Sequence, residues 1–253
     1  MKQFQSVMTY GHAFEAAKQH AREQFPKESC GVIVDGVYVA LENIAPDPLT
    51  HFEVNPAAYL KATTGKTVNC LVHSHPDGPF FPSALDMQTQ IAMNVPWAII
   101  AVDEDRIGEP VVWGDPLPPA PIIGREFMHG VHDCLSLIRD HFRLGREELA
   151  KQDIAWPHDP IPFADCPRDD GWWETDKNLY SDNFEKWGFR VVSDPQPGDI
   201  FLCSVGRTPK LNHGGVLLNN SLICHHLPMR LSRREPAGLW GRQAKLWIRH
   251  HAA

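Results

Sequence analysis

The sequence contains no apolar run long enough to cross a bilayer. Its longest, Val95 to Val102, falls far short of the ~20 residues a spanning helix needs, so no membrane insertion is expected. The first residues, MKQFQSVMTYGHAFEAAKQHAR, hold no apolar signal core, and synthesis and folding in the cytoplasm are expected. None of the six cysteines forms a CxxC pair, which argues against a zinc ribbon or a dithiol redox motif. In a reducing compartment they are expected to be thiols, most of them small core residues. Internal repeats and low-complexity tracts are missing too, which excludes solenoids. There is no excess of positive charge: 24 Lys and Arg stand against 31 Asp and Glu, a net of −7, and no nucleic-acid partner is expected.

What is present divides into two. With 253 residues the chain is long enough for two ordinary cores, and 43% apolar with 22% charged residues describes a globular protein. Up to Asp115 there are 7 Lys and Arg against 14 Asp and Glu, whereas the remainder balances at 17 of each. The stretch from His225 onward is locally basic, which suits either a solvated face or an acidic partner. Between the halves lies GDPLPPAPIIG, 114 to 124, with four prolines that can continue neither a helix nor a central strand. Domains over 1–114 and 125–253 are expected, joined by a semi-rigid linker over 115–124.

The first half reads as alternating helix and strand. Ala13, Ala16, Ala17 and Ala21 are spaced for one helical face within Thr9 to Gln24. CGVIVDGVYVALENI is a hairpin turning at Asp35-Gly36, TVNCLVHSH a buried strand, SALDMQTQIAMN a helix and PWAIIAVD a strand. The second half begins with a helix, DCLSLIRDHFRLG, which Gly145 is expected to stop. A long polar, tryptophan-bearing segment follows, then short strands at GDIFLCSV, HGGVLLNN, SLICHHL and AKLWIRH, an α+β order.

Two constellations carry chemistry. His73 and His75 stand at i and i+2 where a strand ends, a spacing that puts both imidazoles on one face. Asp86, at the start of the next helix, supplies a third ligand. Two histidines and a carboxylate leave one tetrahedral position open, the pattern of catalytic zinc. The plain alternative is a capping box formed by Ser83 and Asp86, with the histidines as polar strand-end residues. Glu28, before the first hairpin, is a candidate base, although a glutamate there is most often solvated. In the second half, Asp133 is the expected N-cap of a helix that begins with Cys134, where free amides and the helix dipole favour a thiolate. Strands bearing His213 and His225 offer an imidazole pair if they form a hairpin turning near Asn219-Asn220, and His226 competes with His225 for the third role. The plain alternative is a core thiol with surface histidines. Trp172, Trp173, Trp187 and Trp240 are read as packing for a small domain in preference to the lining of a groove.

Glu28, the HSH at 73–75, Ser83 and Asp86 resemble the JAMM motif of the JAB/MPN metallopeptidases, including Cys-Gly after the glutamate and Pro after the second histidine. The resemblance implies that zinc is held by His73, His75 and Asp86, that Glu28 accepts a proton from the attacking water, and that Ser83 steadies the oxyanion. Asp133-Cys134, Gly198-Asp199 and His213-x-Gly215 resemble the NlpC/P60 cysteine peptidases. This implies Cys134 as nucleophile, His213 as base and His225 as the polar third member. Leu135 departs from the serine many relatives carry, and Gly214-Gly215 leaves the strand after His213 with little side-chain substance. Both domains in this order, with DCLSLIRDHF, GWWETDKNLYSDNFEKWGF and LSRRE, are similar to the lambda-type phage tail assembly proteins. The fold class implied is α+β in two domains: an N-terminal JAB/MPN-like (cytidine-deaminase-like) α/β domain and a C-terminal papain-like NlpC/P60 domain. The function implied is a tail-tip protein with a zinc-dependent (iso)peptidase and a cysteine endopeptidase. The latter would cut peptidoglycan cross-bridge peptides after D-glutamate, in the host periplasm or cell wall. Its partners would be peptidoglycan peptides and other tail-tip proteins. The rival readings are a structural docking component of the tail tip and a peptidase that processes tail proteins during assembly.

Overall fold

A computed structural model describes residues 10–252, in two compact units that divide between Ala120 and Pro121. Among them no helix is long and apolar enough to cross a membrane.

The first unit opens with α1, Gly11–Gln24, which buries Ala13, Phe14, Ala17 and Ala21. The small side chains let it lie close on the sheet beneath. Thr9, the expected start of this helix, lies outside the described residues. The hairpin forms as β1 (Cys30–Val34) and β2 (Val37–Leu41), with Asp35 and Gly36 both at positive φ. Helix α2, Pro56–Thr63, is capped by Asn55, which accepts from the amides of Ala57 and Ala58. Then come β3 (Val68–Pro76), α3 (Ala84–Met93), β4 (Trp97–Val102) and β5 (Val111–Trp113). The sheet order is β2-β1-β3-β4-β5, and only the β3–β4 pair is parallel, as a crossover through α3 requires. Ile33, Cys70, Val72, Ala98 and Ile100 pack against α1 on one face, while Cys30, Val32 and Val34 pack with Ala62 of α2 on the other. A central strand covered on both faces explains why β1 is buried at every position.

The second unit begins before the proline-rich stretch ends. Ile122 is wholly buried in its core, and the Ile122 carbonyl accepts from Ser232 Oγ, so only the earlier part of that stretch is free of it. Helix α4, Cys134–Ala150, buries Leu135, Ile138, Phe142 and Leu149. At Gly145 (φ 67°, ψ −177°) the helix breaks and then resumes, so the glycine is a kink within the element and not its end. A 3-10 turn, Trp172–Glu174, interrupts the long polar segment. Six antiparallel strands follow: β6 (Phe189–Val191), β7 (Ile200–Cys203), β8 (His213–Leu218), β9 (Leu222–His225), β10 (Arg233–Pro236) and β11 (Leu246–His250), with α5 (Ala237–Gln243) before the last. Their order is β10-β9-β8-β7-β11-β6. Ile200, Leu202, Val216 and Leu218 share a core with α4, while Phe201, Cys203 and Ile223 pack with Trp240 of α5. Both units are therefore mixed α and β, each around its own sheet. In the basic C-terminal stretch, Arg234, Lys245 and Arg249 bond to Asp153, Ser204 and Asp199 within this unit.

Candidate active sites

In the first unit Cys30 pairs with His73 across β1 and β3. The register carries on past the strand end, where the Ser74 amide donates to the Ser29 carbonyl at 3.0 Å, and this places Glu28 opposite His75. Alternation then puts Glu28, His73 and His75 on one face. The three are 7%, 1% and 8% exposed, which excludes bulk water from the site.

Helix α3 delivers the third residue. Ser83 Oγ accepts from the Asp86 amide at 3.1 Å, and Asp86 Oδ2 accepts from the Ser83 amide at 2.8 Å. This is a complete capping box, and it faces Asp86 toward the histidines. The plain reading and the functional one thus describe the same atoms. His73 Nε2 lies 3.4 Å from Asp86 Oδ1, and His75 Nε2 lies 3.6 Å from Oδ2. The two Nε2 atoms are 3.0 Å apart, and one donor atom from each residue lies within 4.8 Å of the others. His75 Nδ1 donates to the Pro79 carbonyl at 2.7 Å, which leaves the Nε2 lone pair free to ligate. The His73 ring stacks on Phe52 at 4.6 Å, between Trp97 and Trp113.

Burial alone would raise Asp86, but the bonds to His73 and His75 outweigh it and hold the carboxyl well below the usual range. Burial pushes Glu28 up to about 7, opposed by His75 and reinforced by Asp86. A carboxyl poised there suits proton transfer near neutrality. Ser83 Oγ donates to Asp86 Oδ2 at 2.7 Å, so its hydroxyl is engaged with the ligand and not turned toward a substrate.

In the second unit Asp133 caps α4 by accepting from the Ser136 amide at 2.9 Å, and Cys134 follows it at the first turn. Arg168, from the irregular segment, is 2% exposed. Its Nε and Nη2 donate to the two Asp133 oxygens at 2.8 and 2.9 Å, and Nη2 also reaches Ser136 Oγ. Cys134 Sγ meets Tyr180 Oη at 3.2 Å and receives the Gly214 amide. His213 is not among the sulfur's partners, but the two line one cavity of about 710 Å³, together with Tyr180, Trp172, Trp173 and Arg207.

His213 Nε2 meets His225 Nδ1 at 2.9 Å, and His225 Nε2 lies 3.3 Å from Glu235 Oε2. Glu235 also accepts from Trp240 Nε1 at 2.9 Å and is paired with Arg233. Gly215 lies directly opposite His225 in the β8–β9 register, and a Cβ there would come within 2.7 Å of the His225 Cβ. The double glycine is thus demanded by packing: it makes room for the second imidazole beside the first. His226 points elsewhere, its Nε2 toward the Arg230 carbonyl at 3.1 Å and its ring against Phe127. The hairpin turns at Asn220-Ser221, both at positive φ.

One expectation meets an opposing influence. Burial, reinforced by the Asp133 carboxylate, pushes the Cys134 thiol up to about 11, opposed by the Tyr180 hydroxyl and the Gly214 amide. Burial and the neighbouring His225 and His226 push His213 down to about 3. Both shifts favour the neutral forms of the pair. Sequence reasoning also missed Glu235, Tyr180 and Arg168. Trp172 and Trp173 line the cavity, while Trp240 packs under His225 at 4.5 Å and Trp187 packs against the core.

A family model described as prokaryotic homologs of the JAB domain matches residues 12–113. The tail tip assembly protein K of Escherichia phage N15 is 31% identical over 245 residues, covering 93% of this chain and 93% of that protein. The protein of the same name from Escherichia phage lambda is 32% identical over 202 residues, 79% of this chain and 90% of that protein. A probable TtuB-protein conjugate cleaving protease of Thermus thermophilus is 33% identical over 102 residues, 36% of this chain and 68% of that protein.

Proposed function

The chain belongs to the tail tip assembly protein K family, and we propose that it is a two-centre peptidase of a phage tail. The observation that carries this reading is convergence: His73, His75 and Asp86 meet at one point in the first unit, and in the second Cys134 and His213 line one cavity, with His213 in line with His225 and Glu235.

In the first unit (domain 1–114) the donor set of two imidazole nitrogens and one carboxylate fits zinc, with His73, His75 and Asp86 as the holders. Zinc bound there supplies Lewis-acid polarisation and an acidified water near neutral pH. Glu28 is the proton carrier, close to His75 and poised near neutrality by burial. Ser83 orients Asp86 through the capping box and, once its hydroxyl leaves Asp86, steadies the developing oxyanion. The likeness to a conjugate-cleaving protease supports a peptide or isopeptide bond as the target.

In the second unit (125–253, after the proline-rich stretch) the reading is a papain-like NlpC/P60 thiol endopeptidase. Cys134 attacks the carbonyl carbon and forms an acyl-enzyme. His213, whose Nε2 is held by His225, keeps Nδ1 available for the thiol proton and passes it to the leaving amine. His225 is the polar third member, and Glu235 anchors it in turn. The substrates are the cross-bridge peptides of peptidoglycan, reached in the host periplasm or cell wall after synthesis in the host cytoplasm. The remaining partners are other tail-tip proteins, with no nucleic acid and no membrane insertion.

The test is to incubate the purified chain with isolated sacculi and, separately, with unassembled tail proteins. Release of muropeptides by wild type but not by Cys134→Ala is the expected result. Cleavage of tail proteins alone points to a processing peptidase, and no cleavage of either by a folded chain points to a docking component.

A further inference from the structure

Tyr180 lies in the long irregular segment and belongs to neither motif. Nevertheless its hydroxyl is the side-chain group that touches the sulfur of Cys134, at 3.2 Å. The ring is 2% exposed and fixed among aromatic neighbours, with Trp172 at 6.3 Å and Trp187 at 6.5 Å between ring centres. A buried hydroxyl held this firmly is a preorganised donor. We propose that Tyr180 is a catalytic residue of the thiol centre: it donates to the sulfur when the thiolate forms, and then to the oxygen of the carbonyl under attack. The proposal rests on the thiol-peptidase reading of this unit.

The sulfur's surroundings call for such a donor. Burial and the Asp133 carboxylate both disfavour negative charge on Sγ. Against them stand the Gly214 amide and the Tyr180 hydroxyl, which an anionic sulfur can accept from together. Burial raises the Tyr180 phenol well above its ordinary value, so it keeps its proton and remains a donor at neutral pH. Cys134 and Tyr180 both line the cavity that would admit substrate.

The step balances without any further reagent. The thiol proton moves to His213 Nδ1 and the Sγ–C bond forms. The carbonyl π pair moves onto oxygen, which accepts the Tyr180 hydrogen bond with no proton transferred. On collapse the C–N bond breaks, and the amine leaves with the proton that His213 carried.

The experiment uses the full chain with Tyr180→Phe, which keeps the ring and removes the hydroxyl. The pH profile of iodoacetamide alkylation at Cys134 is measured, with peptide mass mapping to identify the labelled cysteine. The midpoint is expected to rise by about one pH unit, since a hydrogen bond to a charged group is lost. On muropeptides kcat is expected to fall ~100-fold with KM unchanged. A purely structural role would leave the alkylation midpoint where it is in wild type. Should the phenylalanine variant not fold, ring-fluorinated tyrosine at 180 is used instead; this stronger donor should move the midpoint down. An unmoved midpoint in the folded variant overturns the proposal. That readout does not depend on the substrate, whereas muropeptide release by Cys134→Ala would refute the peptidase reading itself.

Discussion

His73 and His75 stand two residues apart on one strand with their Nε2 atoms 3.0 Å from each other. His213 and His225 come from neighbouring strands and meet Nε2 to Nδ1 at 2.9 Å. In the first pair both rings turn the same atom inward, toward each other and toward Asp86. Two imidazole nitrogens and a carboxylate turned to one point are a donor set that a cation would complete. In the second pair the rings stand head to tail, and the line ends on Glu235. Every link in that line is closed by the protein itself. The same residue type, paired at similar distance, is thus arranged convergently in one unit and in line in the other, and the reading proposed above assigns the first to an ion and the second to proton transfer.

The largest expected effect breaks the first arrangement. The purified chain should carry about one zinc, and the double variant His73→Ala, His75→Ala should carry none. Asp86→Asn should weaken binding by more than the roughly 100-fold that loss of an outer partner costs, because a direct ligand is removed. Elemental analysis after dialysis against a weak chelator reads both. Full occupancy in the double variant would contradict the assignment.

A second expectation concerns Arg168, which the second unit buries against Asp133. Arg168→Met leaves a buried carboxylate without its partner and should destabilise this unit by ~3–5 kcal/mol. Adding Asp133→Asn should recover part of the loss, since the uncompensated charge is gone. Urea unfolding followed by tryptophan fluorescence measures both, and a loss below ~1 kcal/mol in the single variant would show that the pair contributes little.

The contrast can also be sharpened through pH. Burial pushes His132, His141 and His226 down to about 4, and His213 to about 3. Above pH ~6.5 these rings are neutral in both folded and unfolded chains and add no slope. As pH falls from there toward 4, the unfolded chain takes up protons that the folded one refuses, so stability drops. The slope cannot exceed ~1.4 kcal/mol per pH unit for any one group, and it is less near either end of the window. The unfolding free energy of the second unit should therefore decline from pH 6.5 to 4, and a flat profile would show that these rings protonate in place.

Much of this was legible in the sequence, for identifiable reasons. The spacing of His73 and His75 on an apolar strand, and of Ser83 and Asp86 at a helix start, are local signals that hold wherever those elements form. A spacing of twelve from His213 to His225 suits a short hairpin, and Gly214-Gly215 marked the tight approach, although it read as slackness. The irregular segment was opaque. Arg168 and Tyr180 have no periodic neighbours, and arginine is rarely buried, so nothing pointed inward. Glu235 lies on an edge strand of four residues, and β5 and β6 have three each, too short for a pattern to emerge. Helix α2 did carry a signal, Asn55 followed by Pro56, which hydrophobic periodicity alone passes over. The burial that opposes the thiolate was not legible either, because the helix-end effect is local whereas burial is set by segments distant in sequence.

Muropeptide release and zinc content, measured together on wild type, Cys134→Ala and the double variant His73→Ala, His75→Ala, test the central claim most directly. Two self-sufficient centres require that Cys134→Ala lose release while keeping its zinc, and that the double variant lose zinc while keeping release. Release by Cys134→Ala, or loss of release on removing the zinc ligands from a folded chain, would contradict it.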